Sequence, residues 1–210
     1  MNKAGLIIFI FSFHWSVLFG QDTLLLRSDN SEIIDVMISS ATHYRGYPSS
    51  PEISGIAWTG NLKKIKGRGF IDFDLSTLPE GIELKSASLS LYSIVSMHNG
   101  NHSTSGGSNE SVLQRVISDW DVKTLNWSNQ PYTTSVNEVI LIESISENED
   151  YLDIDITALV QDILEDRECS FGFMLRLVEE MYYRKMIFAS TDYLDSSKHP
   201  TLQIIYTKKK

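Results

Sequence analysis

A single cysteine, Cys169, stands in 210 residues, so no internal disulfide can form and stability has to come from a packed core and its backbone hydrogen bonds. Cys169 itself lacks any local nucleophile signature and reads as a small buried hydrophobe. Basic residues are scarce, with 18 Lys and Arg against 27 Asp and Glu and a formal net charge of −9, a balance that argues against nucleic acid as a partner. Past the first 20 residues no apolar run approaches the roughly 20 residues that a membrane-spanning helix needs. Catalytic motifs are missing as well: there is no G-x-S-x-G, no glycine-rich phosphate loop, no H-E-x-x-H and no EF-hand ligand string. The expectation is therefore a non-enzyme without cofactor, calcium being conceivable but unsupported by any ligand pattern.

What the chain does contain begins with a leader. Lys3, the apolar stretch GLIIFIFSFHWSVLF and the small Gly20 before Gln21 have the order of a secretory signal peptide over residues 1–20. Export to the extracellular space follows as the expected localisation, with no membrane span after cleavage. A lipid-anchored variant would need a cysteine at the cleavage point, and Cys169 is far downstream. Removing the first 20 of 210 residues leaves about 190, the size of one domain, 21–207, followed by a basic tail at 208–210.

Period-2 alternation dominates this domain. In RGFIDFDLSTLPEGIELKSASLSLYS (68–93), Ile71, Phe73 and Leu75 oppose Asp72 and Asp74, and after a Leu-Pro-Glu-Gly break Ala87, Leu89 and Leu91 oppose Ser88, Ser90 and Tyr92. Phe171, Phe173, Leu175 and Leu177 repeat the pattern, as do Leu202, Ile204 and Tyr206. Strand-like segments recur at 33–38, 69–75, 87–94, 112–116, 124–127, 139–142, 151–156, 171–178, 185–189 and 201–206, which predicts an all-β fold, an antiparallel β-sandwich. Only Leu159, Val160, Ile163 and Leu164 keep helical spacing, predicting one short helix capped by Asp155 or Thr157. The stretch MHNGNHSTSGGSNES (97–111) reads as a long functional or mobile loop, and 39–66 as a second long excursion.

Several segments in this order resemble the DNRLRE-type domain, also described as carbohydrate-binding module family 96. They are DVMISSATHYRGYPSSPEI, GFIDFDLSTLPEGIELKSASLSLYS, VISDWDVKTLNWSNQP, YLDIDITALVQDIL, SFGFMLRLVEE and FASTDYLDSSKHPTLQIIY, together spanning about residues 33–206. The array Trp120, Trp127, Asn129, Gln130, Pro131 and the Asp155-Ile156-Thr157 lead into the helix carry the resemblance most specifically. It is closest in character to the exported Bacteroidetes-type variant. The resemblance implies a sandwich of jelly-roll type, an extracellular setting and polysaccharide binding, alginate being attributed to some members. No catalytic domain accompanies the module here, so a freely secreted binding module is the expectation.

Asp72 with Asp74, and Asp153 with Asp155, sit two apart on strands at about 7 Å, from ~3.3 Å per residue, a separation that overlaps an inverting glycosidase pair. Each pair is also the polar side of an alternating strand, and that structural role is preferred. His43, His98, His102 and His199 lack metal-ligand spacing and read as surface or loop residues. The sequons at Asn101, Asn109 and Asn126 matter only in a host that glycosylates them. Sugar rings present apolar C–H faces and hydroxyl rims, so binding calls for exposed aromatics beside charged side chains. Three places offer these: Tyr44, Arg45 and Tyr47; Trp58 with Lys64 and Arg68; and Tyr182, Tyr183, Arg184 and Lys185. Their cations suit an acidic, alginate-like polysaccharide. Trp120 and Trp127 belong to the framework instead. The alternative function is a structural or adhesive module making contacts with cell-surface proteins or matrix.

Overall fold

In the computed structural model, residues 20–29, 33–60 and 62–208 are described. The leader, apart from Gly20, and the last two lysines lie outside them. Twelve strands follow in chain order: β1 (Asp22–Leu26), β2 (Ile33–Ser39), β3 (Gly46–Tyr47), β4 (Glu52–Gly60), β5 (Lys63–Phe73), β6 (Ile82–Leu91), β7 (Ser111–Val116), β8 (Thr133–Leu141), β9 (Tyr151–Asp155), β10 (Phe173–Leu177), β11 (Arg184–Ala189) and β12 (Thr201–Lys208). One helix, α1 (Thr157–Glu165), interrupts them. The smaller sheet has the order β1-β12-β6-β9, the larger runs β11-β4-β5-β10-β7-β8 with β2 and β3 attached through β5, and all pairings are antiparallel. The expected all-β sandwich with one helix is what the chain forms.

The alternation of β6 survives intact, because Ala87, Leu89 and Leu91 are buried while Ser86, Ser88 and Ser90 stay partly exposed. They meet Ile71, Phe73, Leu113, Phe173 and Leu175 of the larger sheet, and Leu159, Val160 and Ile163 of α1 close the same core. Burying one such aliphatic or aromatic side chain stabilises by roughly 1.5–3 kcal/mol. Ile156 holds the N-cap position without a side-chain capping bond, so neither expected residue caps the helix; Asp155 Oδ1 instead accepts from the Thr157 amide at 2.9 Å, and Thr157 Oγ1 accepts from Ala87 N at 2.9 Å, which ties the helix start to β6. Asp74 likewise holds a turn, accepting from Ser76 N at 2.8 Å and Ser76 Oγ at 3.0 Å. These bonds keep both carboxyls below the usual range.

A second core lies on the other side of the larger sheet. Val36, Ile38, Phe70, Val116, Leu125 and Met174 cluster there under Trp120, Val122, Trp127 and Phe171. Trp120 donates from Nε1 to Phe171 O at 2.8 Å, and its ring lies 5.9 Å from Phe70. This is the packing role expected for the tryptophan pair. Gly172, at φ +77°, lets β10 begin against β5, where a Cβ would stand 2.3 Å from Ile71 O.

Several expectations fail for identifiable reasons. Residues 124–127 form no strand; a 3-10 turn spans Trp127–Asn129, because the Asn126 side chain accepts from Ser128 N and the Asn129 side chain from Asn126 N, local bonds that displace an extended chain. The supposed excursion at 39–66 contains β3, β4 and the first part of β5. Cys169 is exposed, since it sits on a 3-10 turn, Arg167–Cys169, rather than on a strand; neighbouring Asp166 raises its thiol pKa. Lys208 still belongs to β12 and pairs with Asp22 at 3.4 Å.

Candidate functional site

One end of the larger sheet is built by the β4–β5 hairpin, by β11 alongside β4, and by the loop that crosses from β10 to β11. In β4, Trp58 lies opposite Ile65 of β5, while Ile56 lies opposite Lys185 of β11. That register sets Lys185 Nζ 4.5 Å from the centre of the Trp58 ring. Tyr183 meets Trp58 edge to face at 5.1 Å and 86°, and Tyr182 follows at 6.1 Å from Tyr183. Lys64 Nζ stands 5.1 Å from the Tyr182 ring. Both tyrosines are exposed, at 41% and 44%, so two residues of the β10–β11 loop and three from strands form one surface of rings and cations.

The remaining candidates are used differently. Arg68 grips Glu180 with Nε at 2.7 Å and Nη2 at 3.1 Å, donates to Gln130 Oε1 at 2.9 Å, and lies 5.0 Å over Trp127. Lys66 joins Glu180 at 2.5 Å. Burial opposes ionisation of Glu180, but the hydrogen bonds and charges of Arg68 and Lys66 outweigh it and hold the carboxyl below its usual range. Arg184 is engaged by Glu179 at 2.7 Å and by Gly106 O at 2.9 Å. Tyr44 is 87% exposed and Arg45 stacks toward Tyr47 at 6.0 Å, without ring contact to the Trp58 group. Tyr44 and Arg45 of the first expected place thus stay apart from these rings, while Trp58 and Lys64 of the second join Tyr182, Tyr183 and Lys185 of the third.

Beside Trp58 a cleft of about 530 Å³ opens, its walls including Tyr47, Met37, Ile56 and Trp58 and its polar lining Glu52, His98 and Asn99. Glu52 is only 4% exposed. Its Oε1 accepts from Asn99 Nδ2 and from Ser54 Oγ, and Asn99 O accepts from Lys185 Nζ. Burial lowers the Lys185 pKa, with Glu52 and Glu147 acting against that shift. Tyr47 and Trp58, expected in two separate places, both line this cleft, whereas Glu52 and Asn99 were not among the expected residues. Glu52 gives no periodic signal, because β4 is buried on both faces from Glu52 to Ala57.

Asn99 reaches the cleft because 97–111, an irregular loop as expected up to Ser111 at the start of β7, is anchored. Ser96 and Gly100 exchange backbone hydrogen bonds, and so do Ser103 and Lys185. His102, expected at the surface, is buried: Nδ1 accepts from Ile187 N at 2.8 Å, which leaves Nε2–H to donate to Glu149 O at 3.0 Å. Burial lowers its pKa. His199 is also buried, with Nε2 at 2.7 Å from Tyr193 O. Asn109 is buried too and bonds Ser144 and Lys185 O, so that sequon is sealed in the folded chain. Among the described residues no group of three or more His, Cys, Asp or Glu is placed to hold a metal ion, and no helix is long and apolar enough to cross a membrane.

The model of carbohydrate-binding module family 96 matches residues 33–206. No curated protein matches the chain.

Proposed function

The chain belongs to carbohydrate-binding module family 96, and from that premise we propose that it is a secreted, non-catalytic module binding a polysaccharide across the surface of Trp58, Tyr182 and Tyr183. The convergence of these three rings with Lys64 and Lys185 carries the reading. Exposed rings supply faces for sugar C–H groups, and the lysines supply hydrogen-bond donors at their rim. Tyr44 and Arg45, with Tyr47 behind them, would extend contact along a long polymer. An acidic, alginate-like chain would find its cations chiefly in Lys64 and Lys185, because Glu179 and Glu180 already engage Arg184 and Arg68.

Affinity electrophoresis through gels containing alginate and a panel of other polysaccharides tests this. A saturable retardation, unchanged by chelator and reduced about tenfold in affinity by Tyr182→Ala with Tyr183→Ala, is the expected result. The protein-contact alternative draws on Val136, Ile140, Ile142 and Ile145, exposed apolar residues on and just beyond strand β8 at the edge of the larger sheet. Absence of glycan binding together with capture of a surface protein would favour it.

A further inference from the structure

We infer that the cleft beside Trp58 is a subsite for an uncharged, hydroxyl-bearing glycosyl unit, held by Glu52 and Asn99 between the rings of Tyr47 and Trp58. This rests on the reading of the chain as a glycan binder and adds the class of sugar taken.

Two observations identify the ligand chemistry. First, Glu52 is a nearly fully buried carboxylate whose Oε1 is held by Asn99 and Ser54, whereas Oε2 takes no hydrogen bond from the described residues and is not sealed from solvent. An anionic acceptor that lines a cleft without a protein donor is open to a donor supplied by a ligand. Asn99 Oδ1 likewise takes no hydrogen bond from the described residues. Second, Met37, Tyr47, Ile56 and Trp58 give the cleft apolar and aromatic faces, with Ser39, Ser50, Thr59 and His98 among the remaining lining. Acceptors set beside apolar faces match a pyranose ring, which offers vicinal hydroxyl donors on its rim and C–H groups on its faces. At about 530 Å³ the cleft falls within the ordinary range of ligand sites.

Charge decides between sugar classes. A uronate would bring a second carboxylate against Glu52, a like-charge contact in which the facing cation, Lys185, is already shared with Glu52 and the carbonyl of Asn99. An amino sugar would bring a cation to a carboxylate already faced by Lys185, whose ammonium bonds the carbonyl of Asn99. The hydroxyls of a neutral unit supply donors without adding charge. The surface and the cleft therefore divide the work, the exposed rings following a polymer and the cleft selecting an uncharged residue of it.

Calorimetric titration of the purified chain with neutral trisaccharides (β-glucan, mannan and xylan fragments), trimannuronate and chitosan trimer tests the inference. Binding of at least one neutral trisaccharide, weakened about tenfold or more by Glu52→Gln, is expected, since the amide replaces an anionic acceptor of similar shape. Asn99→Ala serves as the second variant, with thermal melts confirming that each is folded. Preferred binding of trimannuronate or of the chitosan trimer would overturn the assignment of class. Polymer binding that is lost with Tyr182→Ala and Tyr183→Ala but unaltered by Glu52→Gln and Asn99→Ala, with no neutral trisaccharide bound, would overturn the cleft alone. No binding of any glycan by the unaltered chain would overturn both readings.

Discussion

Two tryptophans, one in β4 and one on the 3-10 turn Trp127–Asn129, carry a cation over the indole, yet they belong to different parts of the molecule. Trp127 lies under Arg68 at 5.0 Å and helps to close the second core, with Glu180 fixing the guanidinium. Trp58 lies under Lys185 at 4.5 Å, but it borders a cleft and touches exposed Tyr183. The cation–aromatic contact is alike in both. What differs is the surroundings: a closed ion-pair network over buried aliphatics in one place, unpartnered acceptors and exposed rings in the other. A closed network marks framework, and an open one marks a place where a ligand can still supply something.

The comparison breaks if the framework end proves dispensable for stability. Trp120 packs on Phe70 and anchors Phe171 O, so Trp120→Ala is expected to remove about 3 kcal/mol, as large aromatic truncations in cores do. Urea unfolding would measure it, and polysaccharide affinity per folded molecule should not change. A loss under 1 kcal/mol would mean that the second core is not a framework at all.

A smaller effect is expected at Glu180. Glu180→Gln leaves Arg68 and Lys66 without their counter-charge and is expected to cost about 1–2 kcal/mol at neutral pH. The sign with pH follows from its lowered pKa. A carboxyl whose folded pKa lies below its unfolded value contributes stability in full above about pH 4.5. That contribution is lost as pH falls through the folded pKa. The gap between the parent chain and Glu180→Gln should therefore close on acidification, measured as urea midpoints from pH 7 down to 3. A gap independent of pH would show that the charge of Glu180 is not what matters.

The framework was legible in the sequence where one face of a strand is buried and the other is wet. Ala87, Leu89 and Leu91 against three serines is such a case, and it survives unchanged. β4 was not legible, because residues from Glu52 to Ala57 are buried on both sides and the period vanishes. Glu52 was hidden with it. The two candidate places around Trp58 and Tyr182 could be named separately, but their union depends on the pairing of Ala57 with Arg184 and Ile56 with Lys185, a register between segments more than 120 residues apart. His102 was expected at the surface, and the burial of Asn109 was not foreseen, because their partners are groups of β11 and of residues beyond β8. Such bonds leave no trace in local composition.

The smallest expected change in stability sharpens the contrast most. Tyr183 has φ +63°, the left-handed region, which costs a non-glycine residue about 1–2 kcal/mol. Tyr183→Gly relieves that strain while removing a ring–ring contact worth about 0.5–1.5 kcal/mol, so its net effect on stability should stay within about 0.5 kcal/mol. Tyr183→Ala keeps the strain, loses the ring and should be the less stable of the two. The bonds from Ser103 and Gly106 to Tyr183 O involve backbone only on its side and persist in both. Polysaccharide affinity should fall equally in the two variants, by several-fold, because the ring is what the ligand meets. Equal melting temperatures would show that no strain is stored at this position, and undiminished binding by Tyr183→Gly would remove Tyr183 from the surface that follows the polymer.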